Sequence, residues 1–234
     1  MEYGAYSNYA AAYAPADARA QFIRRTYAHL ALAILGFLVL EYLLLNLPGV
    51  WTLAALMTNG FNWLLVIGLF FVVSLIADRM ARSEVSRGVQ YAGLALYVVI
   101  EAIIFLPLML VAYYLTDPSV LPTAALITGL LFAGLTVVAF TTRADFSFLR
   151  GILIIGGFVA LGLIVASMIF GFTLGLIFSV AMVAFASVAI LYYTSNIIHY
   201  YRTDQYVSAS VTLFASVALL FYYVLQILIS LRQQ

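Results

Sequence analysis

Apolar residues in this chain do not alternate with polar ones; they gather into seven long blocks, Tyr27–Leu47, Phe61–Ala77, Val89–Leu115, Val120–Phe140, Gly151–Gly171, Leu174–Ile198 and Val207–Leu231. Crossing a hydrocarbon core takes about 20 helical residues, and each block is of that order, the second being the shortest. None shows the two-residue alternation of an outer-membrane barrel strand. Helices satisfy their own backbone hydrogen bonds inside lipid, so continuous apolar runs with no face kept for water predict an all-α fold. The expected architecture is a bundle of seven transmembrane helices over residues 25–234, preceded by a short tail over residues 1–24.

Charge placement sets an expected orientation. The chain has ten arginines and no lysine. Arg19, Arg24 and Arg25 precede the first block; Arg79, Arg82 and Arg87 fill the loop between the second and third; Arg143 and Arg150 the next alternate loop, and Arg202 the one after. Only Arg232 follows the seventh block. Positive residues are retained on the cytoplasmic side, so the N-terminus is expected in the cytoplasm and the C-terminus outside. The alternation also supports the count of seven, because merging or splitting one block would scramble it.

Composition then closes off whole classes of function. Hydrophobic residues make up 66% of 234 and charged residues 8%, too few to cover a water-facing surface. A net charge of +1 without a basic cluster beyond these arginines argues against nucleic-acid binding. With no cysteine there is no disulfide or thiolate metal site, and His29 and His199 alone, near block ends, make no metal centre; no cofactor is expected. Phosphate-binding glycine loops, nucleophile elbows and HExxH pairs are missing, so a non-enzymatic role is expected. The first 20 residues lack the basic start and apolar core of a signal peptide. There Tyr3, Tyr6, Tyr9 and Tyr13 recur at three- and four-residue steps and would share one side of a helix if ordered by a partner or the membrane surface.

Chemistry is left to the few ionisable groups inside the membrane, which are costly in lipid and mark functional sites by default. Glu41 in the first block and Glu101 in the third lie roughly 21 and 18 Å from the cytoplasmic ends at helical rise. If those helices are neighbours, the two carboxyls could share a proton or a cation and sense pH. Pro107, later in the third block, frees a backbone carbonyl and predicts a kink. Asp145 is expected to pair with Arg143 or Arg150, or to cap the next helix. Thr194 and Asn196 are expected to cap or cross-link the end of the sixth. Trp51, Trp63, Tyr113, Tyr114, Tyr200 and Tyr201 fall near expected interfaces, where amphipathic rings anchor.

Three stretches carry a family resemblance: the loop TTRADFSFLRG at 141–151, LYYTSNIIH at 191–199, and TLFASVALLF on the seventh block, joined by FIRRTYAHLAL at the entry to the first. They resemble the signature segments of the Bax inhibitor-1 family, especially its bacterial YccA-like branch, and the motif residues Asp145, Thr194, Asn196 and His199 fall within them. The resemblance implies a bacterial inner-membrane protein with its seventh helix central. It also implies a pH-sensitive calcium leak gated by two acids that share a proton, one on each of the last two helices. Here those positions read Tyr193 and Ser216, so both acids are gone. A Tyr193–Ser216 hydrogen bond would close the same gap without titrating near neutral pH, since an unperturbed tyrosine titrates near 10. The leak then depends on Glu101 or Glu41.

The second role the resemblance implies is a non-transporting one, as a modulator of a membrane protease or an accessory subunit of a larger membrane complex. Small residues such as Gly156, Gly157, Ala160, Ala186 and Ala189 would permit the close helix packing such binding needs.

Overall fold

The computed structural model describes residues 10–232, so Tyr3, Tyr6 and Tyr9 lie outside the described residues. Eight α-helices occur among them: α1 (Ala16–Leu45), α2 (Val50–Thr58), α3 (Asn62–Ala81), α4 (Arg87–Tyr114), α5 (Val120–Thr142), α6 (Leu149–Phe170), α7 (Gly175–His199) and α8 (Tyr206–Arg232). All but α2 are long and apolar enough to cross a membrane. The fold is an all-α, multi-span bundle, as the block pattern predicts.

Two boundaries differ from the sequence reading. The first helix starts at Ala16, not near residue 25, because a helix can continue past the bilayer carrying Asp17, Arg19, Arg24 and Arg25 on exposed turns that hydropathy does not register. Residues before it are tied down as well. Ala10 bridges to Arg202, the Ala11 amide donates to the Tyr201 carbonyl at 2.7 Å, and the Ala11 side chain is fully buried. Ala10 and Ala11, which the sequence places in the tail, therefore lie against the α7–α8 loop. The second difference is α2, nine residues between the first two spans, entered through Gly49 at φ 79°, a left-handed turn that glycine adopts without strain.

Helix α8 is the hub. Over its most apolar stretch 56% of residues are buried within the protein, against 6% for α6. It packs on α1, α3, α4, α5 and α7, while α6 leans mainly on α7. Large apolar side chains such as Leu65, Ile155, Phe158 and Ile177 point outward, the arrangement expected when the surrounding solvent is hydrocarbon. At Gly93 the α3 and α4 backbones touch: an added Cβ would lie 2.6 Å from both the Ala77 carbonyl and the Ala81 nitrogen. Helices α1 and α4 run in the same direction, since their contacts advance together from His29 on Tyr91 to the Leu45 carbonyl on the Tyr114 hydroxyl.

Nine arginines thus collect at one end of the bundle, from Arg19 to Arg202 in the chain, and Arg232 stands at the other. That arginine-bearing end holds most of the polar structure.

Candidate functional site

Glu101 and Glu41 are both buried, at 5% and 1% exposure, on the neighbouring helices α4 and α1. They do not form a pair. Both oxygens of Glu41 lack a hydrogen-bond partner, so no hydrogen bond joins the two carboxyls. The expected proton sharing between them is therefore absent, and the reason is a layer of aromatic rings. Phe37, one turn before Glu41, meets Phe105, one turn after Glu101, edge-on at 5.0 Å, and Phe214 of α8 approaches Phe37 at 6.1 Å. Because α1 and α4 are parallel, Glu101 lies on the arginine-bearing side of this layer and Glu41 on the far side.

Glu101 instead belongs to a polar file that begins where α3 ends. Arg82 donates from Nε to both oxygens of Asp78, at 3.0 and 2.8 Å. Tyr97 stands one turn before Glu101 on α4, the helix that packs on α3, whose last turn carries Asp78. The file therefore reads Arg82, Asp78, Tyr97, Glu101. Spacing alone joins Tyr97 to Glu101, four residues apart on one helix. Asp78 and Arg82 had no signal in the sequence, since charged residues at the end of a span look like ordinary interface anchors.

The two family positions do not meet in the expected way. Ser216 donates to the Thr212 carbonyl of its own helix at 2.9 Å, leaving no hydroxyl hydrogen for Tyr193. Tyr193 is half-buried, within electrostatic reach of Tyr192, Tyr201, Arg82 and Asp78. No hydrogen bond joins Tyr193 to Ser216 among the described residues.

The other motif residues build the α5–α6 turn and its seat. Asp145 pairs with neither Arg143 nor Arg150: its carboxylate accepts the Tyr200 hydroxyl and, at 2.9 Å, the Ser147 amide. Those two donors, the Tyr200 hydroxyl first, hold the Asp145 carboxyl below the usual carboxylate range, and the same contact pushes the Tyr200 hydroxyl up. Ser195, fully buried, clamps the turn by accepting the Phe146 amide at 3.0 Å and donating to the Ala144 carbonyl at 3.2 Å. The Asn196 carbonyl accepts the amides of Tyr200 and Tyr201, ending α7, and His199 Nδ1 sits 2.9 Å from the Ser195 carbonyl. Thr194 points the other way, into the core beside Tyr27 and Thr136. In the α7–α8 loop Arg202 is paired with Glu84 and Asp204, each at 3.0 Å.

Two cavities open at this end, of about 380 and 390 Å³, and both are walled by Arg82 and Gln205. The first extends over Tyr192, Asn196, Ser147 and Arg150, the second over the α3–α4 loop and Arg202. Neither reaches Glu41 or Glu101. Among the described residues no group of three or more His, Cys, Asp or Glu side chains stands ready to hold a metal ion.

A family profile described as Bax1-I, inhibitor of apoptosis-promoting Bax1, matches residues 19–233. An uncharacterized protein of Pseudomonas aeruginosa, PA2604, is 40% identical over 110 residues, which are 47% of this chain and 49% of that protein. The chain thus spans about half the length of the curated relative it matches.

Proposed function

The chain belongs to the Bax inhibitor-1 family, and from that premise we propose that it is a cation leak of the bacterial cytoplasmic membrane in which Glu101 takes the part of the missing acid pair. The arginine-bearing end faces the cytoplasm, as retention of positive charge requires. A calcium ion or proton enters past the Arg82–Asp78 pair, passes Tyr97 and reaches the Glu101 carboxyl. The single observation that carries this reading is the burial of Glu101, a carboxyl only 5% exposed in the middle of a helix long and apolar enough to cross a membrane. An unpaired charge held in a low-dielectric interior costs several kcal/mol, so a buried carboxyl needs a proton or a cation beside it. Glu41 is a second station, beyond the Phe37, Phe105 and Phe214 rings, which close the route at rest in the way apolar constrictions gate by excluding water. The reading assigns no chemical transformation to the protein.

Reconstitution in liposomes tests it. Calcium entry and proton movement, followed by encapsulated dyes between pH 6 and 8, are expected to fall at least about tenfold in Glu101→Gln. Equal flux in wild type and variant would sink the proposal.

A second reading, a non-transporting modulator of a membrane protease or larger membrane complex, is favoured by one observation: both cavities stop short of the buried carboxyls. A stoichiometric partner retained through purification in mild detergent, together with no flux above protein-free liposomes, would decide for it.

A further inference from the structure

The first cavity at the arginine-bearing end differs from the rest of that surface in its lining. It is walled by two guanidinium groups, Arg82 at the end of α3 and Arg150 in the first turn of α6, and by no carboxylate. Three further lining side chains, Ser147, Tyr192 and Asn196, bring hydroxyl or amide hydrogens. The nearby acids are already engaged elsewhere. Asp78 is held by Arg82 Nε, and Asp145 by the Tyr200 hydroxyl and the Ser147 amide. Arg150 forms no ion pair among the described residues, unlike Arg82 and Arg202. Two like charges on one cavity of about 380 Å³ repel each other, and an anion between them would turn that repulsion into two charge-assisted contacts.

The position narrows the class of anion. Arg82 caps α3, and Arg150 begins α6 eight residues after α5 ends, so both stand at the level where spans leave the bilayer. Helices α3 and α6 do not pack closely on each other. Basic pockets between membrane helices at this depth suit phosphate headgroups, and guanidinium matches phosphate geometry bidentately.

We propose that this cavity binds a phosphate-class anion through Arg82 and Arg150, either the phosphodiester of an anionic phospholipid or a free phosphate. The site shares Arg82 with the entrance of the proposed leak but does not include Glu101. The Arg82 Nε remains on Asp78 while its terminal nitrogens turn to the anion, and Arg150 supplies the second contact. Ser147 lines the cavity from the turn that Ser195 clamps, so the α5–α6 turn positions both Ser147 and Arg150.

The test uses the full chain in detergent. Phosphatidylglycerol or phosphatidylcholine is titrated in and bound lipid is counted by native mass spectrometry; inorganic phosphate is titrated separately and read by thermal shift. Phosphatidylglycerol is expected to bind well ahead of phosphatidylcholine, and Arg150→Gln to weaken it about tenfold, while Arg24→Gln, on an exposed turn of α1, leaves it unchanged. Arg150 is exposed, so that variant is expected to fold; Arg82→Gln also breaks the Asp78 pair and serves as the second measurement. A shift with inorganic phosphate that Arg150→Gln abolishes, without preference for phosphatidylglycerol, assigns the site to a soluble phosphate. Glu101→Gln should bind like wild type. Wild-type affinity in both Arg150→Gln and Arg82→Gln, or an equal loss in Arg24→Gln, would overturn the proposal, the latter by reducing it to general surface attraction.

Discussion

Replacing Glu41 by methionine is expected to stabilise the isolated protein. The side chain is 1% exposed, both carboxyl oxygens are without a hydrogen-bond partner, and α1 and α4 enclose it beyond the Phe37–Phe105 contact. A buried polar group left unsatisfied costs about 1–3 kcal/mol, and more when charged. Methionine is close to glutamate in length and flexible enough to fill the same space, which avoids the cavity cost of about 2–5 kcal/mol that an alanine would carry. The net gain should therefore be about 1–3 kcal/mol. For a chain of this size each kcal/mol moves the midpoint by about 2–4 °C, so a rise of several degrees is expected in a thermal unfolding scan in detergent. Glu41→Ala provides the contrast and should melt below the methionine variant. A methionine variant less stable than wild type would show that the Glu41 carboxyl has a compensating partner, and the argument from its isolation would fail.

Other perturbations follow from the same geometry. Gly93→Ala should destabilise by about 1–3 kcal/mol despite alanine's better helix propensity, because the new Cβ meets α3 backbone at 2.6 Å, whereas Gly134→Ala, with nothing within 4 Å, should not; paired melting curves decide. Phe105→Ala should raise basal cation flux in liposomes by thinning the aromatic layer between Glu101 and Glu41, and unchanged flux in a folded variant would contradict that role. Asp145 has a lowered carboxyl pKa, so what it adds to the α5–α6 turn is present above about pH 4, the unfolded value, and is lost as pH falls through the lower folded value. Amide exchange at Ser147 should accordingly be protected at neutral pH and lose protection in acid. In Asp145→Asn the Tyr200 hydroxyl should titrate at lower pH than in wild type.

How far the sequence could be read depended on the physics behind each feature. The seven spans were legible because lipid imposes a minimum apolar length on each, and the observed helices α3 to α8 end within a few residues of the apolar blocks. Helix α2 and the first turns of α1 were not, the one too short to span and the other too charged for a hydropathy reading. At the site, Glu101 and Glu41 were visible as intramembrane acids. Their separation was not, because depths counted from the ends of apolar blocks miss the register of α1 on α4, which sets Phe37 against Phe105 and so puts the two acids on opposite sides of that contact. Tyr193 and Ser216 likewise looked close enough to bond. In the folded chain the Ser216 hydroxyl donates to the Thr212 carbonyl of its own helix. Asp145 shows the same limit: its nearest arginines in sequence lose to a tyrosine 55 residues away.

The central claim is that polar side chains lead from the arginine-bearing end to Glu101 and stop at the aromatic layer. A chain with no cysteine permits a direct measurement of this. Single cysteines at positions 97, 101 and 105, in protein reconstituted in liposomes, would be exposed to a small charged thiol reagent applied from the arginine-bearing side. Modification at Tyr97→Cys and Glu101→Cys with Phe105→Cys inert is the predicted pattern. Positions 97 and 101 as unreactive as 105 would contradict the account.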